Sequence, residues 1–440
     1  GDTKGLQLLR IQSEYIDANG RSRMSNVRAE IVGNDMIQKY CETNDISKLI
    51  NMPSTLLNKI KFTKKMPAYD AYNQPLRKVD MNDYNFRVSF QTEQDFHTST
   101  AIGRSIISKW RDNKKIFRLI NRVRFAHPDY PIFADVSIVK TSKKSDRGKY
   151  IPEFSFVESD CLNSDETYEI EIECLRPDND IVPNIDHIKK TIKIVLSGLQ
   201  SSNFPIGITE IDNIKNNYYE LIHGTKLKKR LYPRSFIGPS SISLELEHIQ
   251  DNKHNVLSGY VVTDKADGIR KLLYIDKTGK IYTIDTNMNV QFTGVKTTKH
   301  LNTIIDGEHI IHNKKGEYYN HFAAFDIYIL SKKDIRSLPF MDSEKECRLK
   351  ILNSITKDII KDTTIFQISV KTFYNNDSIF ESCNSILSNI KSGLYEYETD
   401  GLIFTPSMLG VGQDKSKYVP TNSKKTWTNS FKWKPPEFNT

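Results

Sequence analysis

Apolar and polar side chains alternate along most of the first half of the chain, the mark of half-buried β-strands. Strands are predicted over residues 8–16, 27–32, 85–93, 117–125, 132–140 and 168–175, with one short helix over 37–41. The period changes at Ile185, where Ile185, Ile188, Ile192, Val195, Leu196 and Leu199 recur at helical spacing behind a capping Asn184. A second helix is predicted over 211–222. The polar and basic run from Gly224 to Arg234, which includes Lys228 and Lys229, then places a domain boundary, giving domains 1–224 and 225–440. Beyond it, apolar runs at 260–262, 271–275, 304–310, 322–330, 402–404 and 431–433 predict a second set of strands. The predicted class is α+β.

Charge changes the picture first at residues 168–175. Side chains alternate across a strand, so Glu169, Glu171 and Glu173 share one face, while Ile170, Ile172 and Cys174 share the other and are expected in the core. Carboxylates in a row repel unless cations intervene, and hard oxygen ligands suit Mg²⁺ or Mn²⁺. Arg118, Arg122 and Arg124 also share a strand face. They are expected to face the carboxylates across a barrel interior, holding a phosphate between themselves and a metal. The alternative is a polar outer face laced by ion pairs. A basic loop with Lys143, Lys144, Arg147 and Lys149 separates two of these strands. The net charge of +9 points to a polyanionic partner, nucleic acid or nucleotide phosphates. Five scattered cysteines without metal-ligand spacing suggest reduced thiols in an intracellular protein, and no apolar run is long enough to cross a bilayer.

In the second half, Asp264-Lys265-Ala266-Asp267-Gly268-Ile269-Arg270 places a lysine and an arginine around an Asp-Gly turn between two strands. A lysine is a nucleophile once its ammonium loses its proton, which burial and neighbouring cations promote. There follow Asp306-Gly307-Glu308, a buried strand carrying Phe322, Phe325 and Asp326, then Asp400-Gly401, and last Lys432 and Lys434 on one strand face. Each piece alone is common hairpin chemistry; their joint order is not.

This series resembles motifs I, III, IIIa, IV and V of the covalent nucleotidyltransferase superfamily, the capping guanylyltransferases and ATP-dependent ligases, over roughly residues 236–440. The resemblance implies that Lys265 forms a lysyl-nucleotide and that Arg270 and Glu308 lie at the ribose or metal. It implies that Phe325, or else Phe322, stacks on the base, that Asp400 is metal-linked, and that Lys432 and Lys434 hold the phosphates. Residues 168–174 resemble the glutamate strand of metal-dependent RNA triphosphatases of the tunnel family, with Arg118 and Arg122 on its basic strand. That resemblance implies catalytic roles for Glu169, Glu171 and Glu173, metal binding by Glu171 and Glu173, and phosphate binding by Arg118, Arg122 and Arg124.

A triphosphatase-like domain ahead of such a lysine domain resembles the capping enzymes of large cytoplasmic DNA viruses. The implied architecture is an antiparallel β-tunnel followed by a nucleotidyltransferase domain of twisted antiparallel sheets with helices. The implied substrates are GTP and 5′-triphosphate RNA, with Mg²⁺ or Mn²⁺, in the host cytoplasm or a virion. A methyltransferase on a longer chain or a separate subunit would complete the cap. The chain is expected to be a fragment lacking the tunnel's first glutamate strand and the OB-fold lid, with weak or absent GMP transfer. An ATP-dependent ligase and a non-catalytic RNA-end-binding fragment are the alternatives.

Overall fold

The computed structural model describes residues 5–50, 59–126, 131–174, 184–227, 230–251, 255–359, 365–376, 378–414 and 426–435. Leu175, Lys228 and Lys229, used in the predictions above, lie outside the described residues. The chain divides into two compact units, Gly1–Val195 and Leu196–Thr440.

The first unit is built on β1 (Gly5–Ile16), β2 (Ser22–Val32), β3 (Ile60–Pro67), β4 (Val79–Met81), β5 (Phe86–Val88), β6 (Gln91–Phe96), β7 (Lys115–Ala126), β8 (Ile132–Thr141) and β9 (Thr167–Cys174). Seven of these form one antiparallel sheet in the order β6-β3-β2-β1-β7-β8-β9, while β4 and β5 make a separate hairpin. The single strand predicted over 85–93 is therefore split between β5 and β6. Its alternation has no core to serve: Val88 and Phe90 are both exposed.

One face of this sheet is apolar. Leu9, Ile11, Ala29, Ile31, Phe62 and Phe117 pack against Met36, Ile37 and Tyr40 of α1 (Asn34–Thr43), Ile46 and Leu49 of α2 (Ile46–Ile50), and Ile106 and Ile107 of α3 (Ala101–Ser108). The other face is charged and curls inward. Burial, then Glu171, Asp135 and Glu93, raise the pKa of Glu173. Glu93 and Glu173 stand on the two opposite edge strands. In a flat sheet with strands about 4.8 Å apart those edges would lie roughly 29 Å from each other, so mutual influence requires strong curvature. The described residues thus form an open, curled sheet.

Two expectations are corrected here. Ile170 and Cys174 are exposed rather than in the core, because Val136, Ile138, Tyr168 and Ile170 lie on an outer face that nothing among the described residues covers. The arginines also do not face the glutamates across an interior. They sit on β7, beside the carboxylates of β8 and β9 on the same face, in the register Arg122↔Ser137↔Glu169 and Arg124↔Asp135↔Glu171.

Helix α4 (Ile185–Gln200) contains the division between the units, and α5 (Ile208–His223) follows. Although α5 precedes the boundary predicted at 225, its Ile214, Tyr218 and Ile222 pack with Leu272, Tyr274, Tyr282 and Ile284 in the core of the second unit. An amphipathic helix belongs with the partner that buries its apolar stripe.

The second unit holds two sheets. The smaller pairs β10 (Ser240–Ser243), β20 (Thr426–Trp433), β19 (Thr399–Pro406) and β11 (Tyr260–Ala266) in that order. The larger runs through β14 (Val290–Lys296), β13 (Lys280–Asp285), β12 (Ile269–Ile275), β15 (Thr303–His312), β16 (Tyr318–Leu330) and β17 (Lys333–Asp334), with β18 (Gln367–Val370) parallel to β16. Helix α6 (Arg348–Ile359) covers the larger sheet through Leu352 and Ile355, and α7 (Ile379–Lys391) covers the smaller through Ile379 and Ile386. No helix among the described residues is long and apolar enough to cross a membrane.

The carboxylate embedded in the 322–330 strand has a structural partner. Arg348, fully buried, donates to Asp326 at 2.8 and 3.1 Å and to the Leu409 carbonyl at 3.2 Å. Removing one member of such a pair leaves a buried charge uncompensated. Arg348→Met is expected to destabilise the protein by about 3–5 kcal/mol in denaturant unfolding; a loss under about 1 kcal/mol would show that the pair is dispensable.

Candidate active site

The turn at Asp267 and Gly268 carries the chain from β11 in the smaller sheet to β12 in the larger one, so Lys265 and Arg270 stand where the sheets meet. The turn lies close against β15: a Cβ on Gly268 would fall 2.8 Å from Glu308 Cγ and 2.9 Å from the His309 carbonyl. Antiparallel pairing of β11 with β19 matches Asp264 to Leu402 and Ala266 to Thr399 around a bulge, which brings Asp400 to Lys265. Lys265 Nζ donates to Asp400 Oδ1 at 2.5 Å, and Lys434 Nζ lies 2.7 Å from Oδ2. Gly401 allows this meeting. Its φ is +150°, and a Cβ there would sit 1.9 Å from the Trp433 carbonyl. Burial alone would raise the Asp400 carboxyl, but its hydrogen bonds to Lys265 and Lys434 and their charges outweigh that and hold it below the usual carboxylate range. Lys432 is exposed on β20, two residues before Lys434.

Arg270 is clamped rather than free. Its Nη2 and Nε donate to Asp306 at 2.6 and 3.2 Å, and its Nη1 donates to the Pro239 carbonyl at 2.8 Å. Asp306 is fully buried and also accepts from the Tyr328 hydroxyl. Burial would lower the Arg270 pKa; the Asp306 charge, with help from Tyr328, reverses that and raises it. The guanidinium lies 5.6 Å from the Phe236 ring centre and 5.5 Å from that of Phe325. Phe325 is half-buried, whereas Phe322 is fully buried in the core behind Gly307. Glu308 is paired in register with Arg270. Burial pushes its carboxyl up to about 7, against the lowering effect of Lys371, Arg270 and Lys265.

The structure adds residues not singled out in the sequence as site residues. Asp264, buried beside the nucleophile candidate, pairs with Lys371 Nζ at 3.1 Å and accepts from the Tyr397 hydroxyl at 3.2 Å. A carboxylate inside an apolar strand demands a counter-ion, so Asp264 itself was a signal. Lys371 and Tyr397 follow no spacing that would have identified them.

In the first unit, Arg118 Nη2 reaches both oxygens of Glu169 at 2.8 and 2.9 Å. Arg122 donates to Asp135 at 2.8 Å, to Glu171 at 2.5 Å and to Ser137 at 3.1 Å. Arg124 holds both oxygens of Asp135 at 2.8 Å. Glu173 makes no ion pair among the described residues, where no three acidic, histidine or cysteine side chains are grouped to hold a metal.

The sequence profile of the family described as mRNA capping enzyme, catalytic domain, matches residues 205–436. The chain belongs to the mRNA capping enzyme catalytic-domain family. Every element of the lysine site lies within the matched span. The alpha subunit of the capping enzyme of Schizosaccharomyces pombe is 28% identical over 244 residues, covering 47% of this chain and 52% of that one. A probable capping enzyme of Acanthamoeba polyphaga mimivirus is 25% identical over 323 residues, covering 62% of this chain and 25% of that one. The chain therefore spans about half the length of the yeast relative and a quarter of the viral one. Among solved structures, the mimivirus capping enzyme triphosphatase in a monoclinic form shares 15% identity at a TM-score of 0.28, covering 44% of this chain and 74% of that one. At that score nothing about this fold rests on it.

Glu308 makes this family member's stability depend on pH. A carboxyl raised from its usual 4.5 to about 7 in the folded state binds its proton more tightly there than in the unfolded chain. Its contribution is fully present below about 4.5 and is lost as pH rises through 7. Glu308→Gln removes this dependence. Between pH 5 and pH 8 the wild type is expected to lose about 1–3 kcal/mol relative to the variant in denaturant unfolding; a constant difference would contradict the burial argument.

Proposed function

We propose that the second unit is an RNA guanylyltransferase acting through Lys265. The observation that carries this reading is the Lys265–Asp400–Lys434 bridge, set beside the clamped Arg270 and the half-buried ring of Phe325. In the proposed step the Lys265 Nζ lone pair attacks the α-phosphorus of GTP. A P–N bond forms, the P–O bond to the β-phosphate breaks, and pyrophosphate leaves. A diphosphate-ended RNA then attacks the same phosphorus through a β-phosphate oxygen, the P–N bond breaks, and Lys265 regains a proton.

The chain's own groups divide the work. Lys434 and the exposed Lys432 neutralise phosphate charge, which is worth most when the donors are already in place. Phe325 supplies a stacking surface for guanine, and Arg270 and Glu308 line the ribose side. Paired with Asp400, the Lys265 amine is engaged in a hydrogen bond and is not free to attack. Attack therefore needs Asp400 to release that amine, and a nucleophilic lysine is favoured by positive charge nearby, here that of Lys434. Asp400 and the nucleotide's own phosphates offer the hard oxygen donors that Mg²⁺ or Mn²⁺ prefers, and such an ion would neutralise charge developing on the phosphates.

For the first unit we propose a triphosphatase-type role, in which its curled face receives the 5′-triphosphate of RNA. Support comes from Arg118, Arg122 and Arg124 sharing that face with Glu169, Glu171 and Glu173. Release of γ-phosphate from triphosphate-ended RNA tests it. Arg122→Ala is expected to abolish any release, and turnover unchanged in that variant would remove this face from the reaction.

The guanylyltransferase reading is tested with α-labelled GTP or ATP and Mg²⁺ or Mn²⁺. Acid-labile label is expected from GTP alone, absent in Lys265→Ala and reduced about 10²–10³-fold in rate in Lys434→Ala. Label from ATP alone would favour ligation. No label from either nucleotide would favour a module that only binds RNA ends.

A further inference from the structure

Beyond β8 the chain forms a tight hairpin that neither proposed reaction uses. Ser145 N–H donates to the Lys149 carbonyl at 2.8 Å, Gly148 N–H to the Ser145 carbonyl at 2.7 Å, and Ile151 N–H to the Lys143 carbonyl at 3.0 Å. Lys144 pairs with Tyr150 across it. Gly148, at φ +73°, supplies the left-handed residue that closes such a turn. Residues 143–149 carry Lys143, Lys144, Arg147 and Lys149 against the single acid Asp146.

These cations have different jobs. Lys143 is committed to structure, 3.0 Å from Glu153 and donating to the Glu158 carbonyl at 3.1 Å. Lys144, Arg147 and Lys149 are exposed and make no ion pair with a carboxylate among the described residues. Two aromatic rings stand on this stretch, one beside Lys144 and one beside Lys114. Tyr150, 36% exposed, has Lys144 Nζ 5.2 Å from its ring centre, and Phe154, 47% exposed, has Lys114 Nζ 5.4 Å from its own. Lys114 and Phe154 join the same surface because Lys115 and Glu153 exchange backbone hydrogen bonds at 2.7 and 2.9 Å. The hairpin also has a definite place in its unit. It continues from Thr141, which is paired with Arg118 at the Arg118–Glu169 end of the charged face.

We propose that this hairpin is a docking site for single-stranded RNA, with Lys144, Arg147 and Lys149 on the phosphates and Tyr150 and Phe154 as stacking platforms for bases. Cations without carboxylate partners, interleaved with exposed rings on a hydrogen-bonded turn, are what a sequence-tolerant single-strand site requires. A surface ion-pair lattice would not leave three cations unmatched. The choice of RNA rests on the capping reading; the site itself lies outside both proposed reaction centres. At the rim of the curled face, the hairpin would hold nucleotides downstream of the RNA end.

The test uses the full chain and a fluorescent 5′-hydroxyl oligoadenylate of about 12 nucleotides, with affinity followed by anisotropy across a salt series. The probe lacks a triphosphate, so binding does not depend on triphosphatase chemistry. The triple variant Lys144→Glu, Arg147→Glu, Lys149→Glu is expected to bind at least about tenfold more weakly at low salt, with a log–log salt slope shallower by about 2. Tyr150→Ala should weaken binding about tenfold and Tyr150→Phe should restore it. GTP-dependent labelling of Lys265 should be unchanged in all three proteins, so failure of the hairpin and failure of the guanylyltransferase reading are seen separately. An unchanged affinity and salt slope in the triple variant would overturn the proposal. So would equally tight binding of duplex RNA together with no effect of Tyr150→Ala, which would mark a general polyanion patch.

Discussion

Asp400 holds two lysines at once, and the organisation of the second unit depends on that bridge. Two ammonium groups within reach of each other repel unless a carboxylate lies between them. Asp400 supplies it, with Lys265 on one oxygen and Lys434 on the other. The three residues come from β11, β19 and the segment just after β20, which are consecutive neighbours in the smaller sheet. Gly401, placed where any side chain would strike the Trp433 carbonyl, lets those strands approach closely enough. The same bridge engages the Lys265 amine, so the contact that assembles the site also occupies the nucleophile candidate until Asp400 is drawn elsewhere.

Around this bridge the charges are arranged in nested pairs. Asp264, immediately before the nucleophile candidate, is matched by Lys371, and Arg270, just after the turn, by Asp306. These buried pairs fix the two ends of the Lys265 segment, one in each sheet. Buried ion pairs add little net stability, but breaking one is costly, so they define geometry more than they add to folding energy. Glu308 is the exception: it makes no ion pair among the described residues, and burial pushes its carboxyl up.

Part of this unit was legible in the sequence because the Lys265 segment sits on a local Asp-Gly turn between strands, whereas Asp306-Gly307 lies inside β15 and Asp400-Gly401 inside β19. Lys265, Arg270, Glu308, Phe325, Asp400 and Lys434 all reach the junction of the sheets. Lys371 and Tyr397 were not legible, since their roles come from long-range packing against Asp264. The choice between Phe322 and Phe325 also needed the fold, because both precede an apolar run and only burial separates them. In the first unit, alternation correctly put Glu169, Glu171 and Glu173 on one face but misassigned the opposite face to a core. A strand's period tells which residues share a face and not what covers it. The partners of Arg118 and Arg122 were likewise a matter of register: Asp135 and Ser137 lie on the adjacent strand β8, and Glu169 and Glu171 one strand further, on β9. The helix at 208–223 shows the same limit, since its amphipathic stripe was plain and its partner was not.

The most direct test of the central claim needs no nucleotide. Amine-reactive footprinting, with modification of Lys265 quantified by peptide mass spectrometry, compares the wild type with Asp400→Asn at one pH below that of free lysine titration. If Asp400 engages the Lys265 amine, Lys265 in the variant should react about tenfold faster while the other lysines, Lys434 excepted, are unchanged. Equal reactivity of Lys265 in the two proteins would show that Asp400 does not restrain its amine, and the account of how this site is assembled would fail.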